Sequence, residues 1–174
     1  GLKEFGEPEP GRYQWFDTQV DAIRAHGLHI LALPDHPPNW AQPGKGTGGN
    51  VVDVAAFAAY CEAIARHYRG RIDHWELWNE PYMSDGFFCG GTASQFAQVA
   101  KAAYPALKRG NPAATVLGYC VDITGPSFTR AVLAEAGRSF DIFSFHHYIM
   151  NLSGGGTLPF AGELAEHRRV LGDL

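Results

Sequence analysis

The stretch VAAFAAYCEAIARHYRGRIDHWELWNEP, residues 54–81, decides the fold class. Val54, Phe57, Cys61, Ile64 and Tyr68 recur every three or four residues, which predicts an amphipathic helix, and Gly70 closes it. Ile72 to Asn79 is then a short apolar and aromatic run, the pattern of a buried strand, and Pro81 turns the chain out of it. A helix that hands over to a buried strand within a few residues is the repeating unit of a parallel α/β sheet.

The same alternation extends in both directions. Upstream, Phe16, Val20 and Ile23 share a helical face ended by Gly27, and Leu28 to Leu33 reads as a strand. A Pro- and Gly-rich loop covers Pro34 to Asn50. Downstream, Thr92 and Gln95 have capping-box spacing and open a helix through Phe96, Val99, Ala103 and Leu107. Thr115 to Val121 is a third strand and Ser127 to Ala136 a helix stopped by Gly137. Asp141 to Tyr148 is a fourth strand and Leu164 to Leu171 a final helix. This order predicts right-handed crossovers, in either a doubly wound sheet or part of a (β/α)₈ barrel. A whole barrel takes about 250 residues and eight strands. The 174 residues read as a single partial unit, 1–174, with four clear strands and the end of another at Leu2–Phe5.

Composition narrows the function. Hydrophobic residues make up 45% and the net charge is −4, so the chain is globular and carries no basic stripe for nucleic acid. No run approaches the roughly 20 apolar residues that span a bilayer. The opening Gly-Leu-Lys-Glu-Phe-Gly-Glu does not read as a signal peptide, which leaves a secreted or a cytoplasmic location open. Cys61, Cys89 and Cys120 show no CxxC spacing, so Cys61 and Cys120 read as buried thiols, with a Cys89–Cys120 bridge as the alternative.

Reactive side chains in parallel α/β folds sit at the carboxyl ends of strands. Those ends hold Asp35 and His36, then Asn79 and Glu80, then Asp122, then His146, His147 and Tyr148. Glu80 is the best catalytic candidate. Trp75 and Trp78 would desolvate its carboxyl, and desolvation raises a carboxyl pKa toward the range of a general acid. A solvated glutamate at a loop mouth would show the same residues. Glu76 cannot be its partner: four strand residues put the two Cα atoms about 13 Å apart, whereas a retaining pair of carboxyls needs about 5–5.5 Å. Glu76 instead reads as a buried glutamate inside the sheet or barrel. Asp35 and Asp122 suit substrate binding, caps or turns. Alternation along a strand pairs His146 with Tyr148. The spacing of His36, His74, His146 and His147 supports no metal site. Gly44, Gly46 and Gly49 match G-x-G-x-x-G, but a Pro-rich loop separates them from the strand, so they read as rim loop. Asn151-Leu152-Ser153 is a glycosylation sequon.

With these residues quoted, the chain resembles a clan A glycoside hydrolase, family 39 most closely and family 5 next. The motif Trp75-Glu76-Leu77-Trp78-Asn79-Glu80-Pro81 resembles the end of the fourth barrel strand in that clan. Pro10–Asp17 resembles the link out of the second strand, Leu33–Trp40 the end of the third, and Ser144–Tyr148 the sixth. The resemblance implies an incomplete TIM (β/α)₈ barrel, from the end of strand 2 to the helix after strand 6. It implies Glu80 as acid/base, Asn79 on the sugar 2-hydroxyl, Trp40 as a stacking platform, His36 and His146 in substrate binding, and Tyr148 orienting the nucleophile. It implies a glycoside or polysaccharide substrate, a double-displacement mechanism and no cofactor or metal. The family nucleophile ends the seventh strand, and Glu163 and Glu166 lie on the last helix, so neither fits. Two readings compete: a non-catalytic carbohydrate-binding relative, and a metal-dependent TIM-barrel hydrolase using His36, His146 or His147 with Asp35 or Asp122. A phosphate- or nucleotide-binding doubly wound domain is disfavoured, because no glycine turn directly follows a strand.

Overall fold

The computed structural model describes residues 6–35, 37–43, 52–82, 92–121, 127–146 and 160–172. Among these residues five helices and four strands alternate: α1 (Asp17–Ala25), β1 (Leu31–Ala32), a 3₁₀ turn (Asn39–Ala41), α2 (Val54–His67), β2 (His74–Glu76), α3 (Ala93–Gly110), β3 (Thr115–Val121), α4 (Ser127–Ala136), β4 (Ile142–Phe145) and α5 (Phe160–Gly172). The strands form one sheet in the order β1-β2-β3-β4, and every pair is parallel. This matches the alternation read from the sequence.

Two strands are shorter than their apolar runs suggest. Before β1, Leu28 is exposed and only Leu31 and Ala32 pair with His74 and Trp75. β2 loses regular form at Leu77, yet the ladder continues: Leu77 N–H donates to the Leu117 carbonyl at 2.8 Å and Trp78 N–H to the Pro34 carbonyl at 3.2 Å. The interruption has a backbone cause, because Trp78 and Glu80 take φ of 65° and 47°. That region is left-handed and disfavours bulky side chains. At the other end of the chain, α5 starts at Phe160, one turn before the first residue of the predicted helix.

Register explains which face is core. Ala32, Trp75 and Val116 lie side by side and are 6%, 2% and 0% exposed. They face the helices, where Phe57, Ile64, Phe96 and Leu107 complete the core. Leu31, His74 and Thr115 form the opposite row, and Leu31 is 51% exposed. Ile142, paired with Leu117, is 47% exposed. The sheet is thus covered on one face and open on the other among the described residues.

Polar contacts fix the ends. Asp53 and Thr92 cap α2 and α3, and Thr92 with Gln95 forms the full capping box expected from the sequence. Asp141 accepts from Lys108, Tyr104 and the Val116 N–H, at 2.5, 2.9 and 2.8 Å, joining α3, β3 and the start of β4. Asp17 ties α1 to the end of α2 through His67 at 2.9 Å and Arg71 at 2.7 Å. Trp15 stacks on the His67 ring, centroids 3.9 Å apart. Cys61 is fully buried and free, as expected, and burial pushes its thiol pKa up. A Cys89 partner lies outside the described residues. No helix among the described residues is long and apolar enough to cross a membrane.

Candidate active site

The carboxyl ends of the parallel strands all open on one rim, and Glu80 stands on it four residues past β2. Its placement begins with Trp78. That ring is fully buried, 5.4 Å from Phe57 of α2 and 6.4 Å from Phe96 of α3. With the ring anchored in the helical layer and the backbone left-handed at 78 and again at 80, the chain is bent out of the strand as it delivers Asn79 and Glu80. Non-glycine residues in this region cost roughly 1–3 kcal/mol and collect at functional sites.

Glu80 is 8% exposed. Its Oε1 lies 2.9 Å from Nδ1 of His146, the first residue after β4. The sequence reading had the two tryptophans frame this carboxyl. Trp78 packs toward α2 and α3, and Trp75 lines a groove with Tyr60 and Ile64. His146, expected to bind substrate, is the side chain found on the Glu80 carboxyl.

Asn79 is half-buried and lines the same groove as Asp35 and Trp75. That groove, about 480 Å³, runs along β1, the sheet edge among the described residues, and is also lined by Phe16, Val20 and Ile23. Trp40 lies on the 3₁₀ turn at the rim, 36% exposed, and its indole N–H donates to the Glu7 carbonyl at 3.0 Å. Asp35 is 4% exposed and shares a small cavity with Glu7, Trp40 and Tyr60. Glu76 is 8% exposed, in keeping with a buried glutamate. His36, Asp122, His147, Tyr148, the glycine-rich loop 44–49 and the sequon at 151–153 lie outside the described residues.

Glu7 escaped the sequence reading. It is 6% exposed, and its Oε1 accepts the Gly11 N–H at 2.8 Å. Burial raises its carboxyl pKa, against the smaller lowering effect of that backbone bond. Its carbonyl holds Trp40, so a residue before α1 sets the rim on the β1 side. The Glu7-x-x-x-Gly11 spacing in a Pro-rich segment was the available signal, and it is a turn pattern more than a catalytic one.

The sequence model of the Cellulase family (glycosyl hydrolase family 5) matches residues 6–157. An endo-1,4-beta-xylanase of Agaricus bisporus is 28% identical over 88 residues, covering 47% of this chain and 26% of that protein. Among solved structures, a family 39 glycoside hydrolase from Bacteroides cellulosilyticus WH2 superposes with a TM-score of 0.62 at 23% identity, over 90% of this chain and 34% of that one. A monomeric beta-xylosidase from Caulobacter crescentus CB15 gives 0.65 at 20% identity, over 91% and 37%. The likeness to the family 39 structure is one of fold. The four strands and five helices form part of a TIM-type barrel. The chain spans about a quarter of the xylanase and a third of each structure.

Proposed function

This chain belongs to the cellulase family, glycosyl hydrolase family 5, and from that membership we propose that it carries the acid/base half of a retaining β-glycosidase site, with Glu80 as the acid/base. The observation that carries the reading is the placement of Glu80: a buried carboxyl, past the end of a parallel strand, hydrogen-bonded to a histidine from the strand two positions away. Xylose-based β-glycosides are the substrate class, since the relatives are named xylanases and one structural neighbour a xylosidase.

In the first half of the reaction a second carboxylate, outside these residues, attacks the anomeric carbon. The Glu80 proton passes to the departing glycosidic oxygen as its bond to carbon breaks. In the second half water attacks the glycosyl-enzyme, and Glu80 takes the water proton, which restores the starting state. Asn79 holds the sugar 2-hydroxyl, a contact that strengthens in the oxocarbenium-like transition state. Trp40 supplies an apolar ring face at the rim, with its indole edge fixed by Glu7. His36 and Tyr148 complete the reading as substrate contact and nucleophile partner. No cofactor enters these steps.

Azide separates the roles. In a polypeptide carrying this chain and the second carboxylate, Glu80→Gln should stall at the glycosyl-enzyme on 2,4-dinitrophenyl β-xyloside. Azide needs no general base and should restore turnover, giving β-xylosyl azide with retained configuration. An inverted azide would mark Glu80 as the nucleophile. Full activity without azide would remove Glu80 from the mechanism.

A further inference from the structure

Trp40 is held from two directions. The 3₁₀ turn fixes its main chain, with the Ala41 N–H donating to the Pro38 carbonyl at 2.9 Å. Its indole N–H donates to the Glu7 carbonyl at 3.0 Å. The residue is nevertheless 36% exposed while it lines a small cavity with Pro37, Phe57 and Tyr60. Part of the ring is packed and part is open at the rim. The bond to Glu7 uses the one polar group of the side chain, because indole carries a single donor and no acceptor. What remains to offer a ligand is apolar ring surface.

The Glu7 carbonyl is itself held in place. Pro8 follows it, and a residue before proline is restricted to extended backbone. The Glu7 side chain is buried, and its Oε1 accepts the Gly11 N–H at 2.8 Å, which closes residues 7–11 into a turn. Gly11 permits the closure with a φ of 76°. The Arg12 N–H braces the same turn by donating to the Glu9 carbonyl at 2.9 Å. On the other side Gly6 lies so close to Tyr60 that a Cβ there would meet the hydroxyl at 2.6 Å.

We propose that Glu7 is a positioning residue for Trp40: its side chain holds the turn that presents a backbone carbonyl to the indole, and the ring so fixed stacks on a sugar of the substrate. The inference rests on Trp40 being the stacking platform. A ring locked before the substrate arrives does not have to be ordered on binding, which is worth roughly 3- to 10-fold in affinity for one side chain. Stacking on a sugar holds the ground state and the transition state alike, so its loss shows in KM and not in kcat. Burial disfavours charge on the Glu7 carboxyl. The role therefore falls to its shape and its acceptor oxygen, both of which glutamine supplies.

Two readouts test this. The first needs no catalysis: solvent exchange of the Trp40 indole N–H in the 174-residue chain, read by ¹H–¹⁵N correlation and assigned by its loss in Trp40→Phe. Glu7→Ala should speed that exchange about 10-fold, and Glu7→Gln should keep it slow. Equal exchange in wild type and Glu7→Ala overturns the proposal. The second readout uses the polypeptide that also carries the second carboxylate, with xylotriose as substrate. Glu7→Ala should raise KM about 3- to 10-fold with kcat within about twofold of wild type, and Glu7→Gln should recover most of the loss. Added to Trp40→Ala, Glu7→Ala should raise KM no further, since both changes act on one ring. Additive increases, or a wild-type KM in Glu7→Ala, overturn the positioning role. Should Glu7→Ala fail to fold, Trp40→Phe removes the same bond from the indole side and should raise KM in the same way; a wild-type KM there overturns the role. If Trp40→Ala itself leaves KM unchanged, the platform reading fails, and the positioning role falls with it.

Discussion

Trp78 and Glu80 are the only non-glycine residues with positive φ among those described, and they flank Asn79. One supplies packing and the other is the proposed acid/base. Trp78, with no exposed surface between Phe57 and Phe96, stabilises the bend that its own backbone disfavours. Truncating such a ring costs about 3–5 kcal/mol. Trp78→Ala should therefore lower stability by that amount in urea unfolding. Asn79→Ala should leave the unfolding midpoint near wild type and, if the proposed contact of its half-buried amide with the sugar holds, lower kcat/KM on xylosides strongly. At this scale the sequence was informative about identity and silent about direction. The order Asn79-Glu80-Pro81 marked the site. The left-handed turns that aim Glu80 at His146 depend on tertiary packing, which periodicity does not encode. The His146 contact was hidden for the same reason: its strand was legible, but its neighbour across β3 was not.

Helix α3 shows how much of an element its own residues specify. The Thr92–Gln95 box is present on both sides, and Thr92→Ala should cost about 1 kcal/mol. Pro105 sits inside this helix and removes one backbone donor, on its exposed side. At the far end Gly110 lies against α2. A methyl there would meet Ala65 Cβ at 2.8 Å and the Arg66 nitrogen at 2.9 Å, with the Glu62 carbonyl closer still. Two of these are backbone atoms of a packed helix and the third is a Cβ, so the clash cannot be relieved by rotating a side chain. Gly110→Ala should destabilise by about 1–3 kcal/mol despite its gain in helix propensity. An unchanged thermal midpoint would mean that α2 and α3 slide apart at no cost. The cap was legible from spacing. The glycine was not, since a close approach between two helices leaves no local pattern.

Across the whole molecule, acid sensitivity and the open sheet face are linked to the same architecture. Asp141 joins α3 to β3 and β4. Burial pushes its pKa up, but the Lys108, Val116 and Tyr104 hydrogen bonds outweigh this and hold it below its usual value. Asp17, held chiefly by its His67 hydrogen bond, is likewise lowered. A carboxyl with a depressed folded pKa stabilises above its unfolded pKa, and that contribution is lost as pH falls through the folded value. Stability should thus fall as pH drops below about 4, and Asp141→Asn should flatten that limb of a pH–urea map. The open face makes a second prediction. Leu31 and Ile142 are exposed on the uncovered side of the sheet, on β1 and β4, its two edge strands among the described residues. Uncovered apolar surface and unpaired edges promote association. The chain should show concentration-dependent association in sedimentation, reduced by Leu31→Lys. The sequence indicated this scale well, because helix–strand alternation fixes a parallel sheet. Which face lies open follows from register, which the shortened strands set.

The central claim is that Glu80 delivers the proton to the leaving group. The most direct measurement is kcat/KM for aryl β-xylosides across a range of leaving-group pKa, comparing wild type with Glu80→Gln in an active polypeptide. The account predicts a shallow dependence for wild type and a steep one for the variant, with about 10²–10⁴-fold loss on the poorest leaving groups and little loss on the most activated. Two parallel lines, with the same loss at every leaving group, would contradict it.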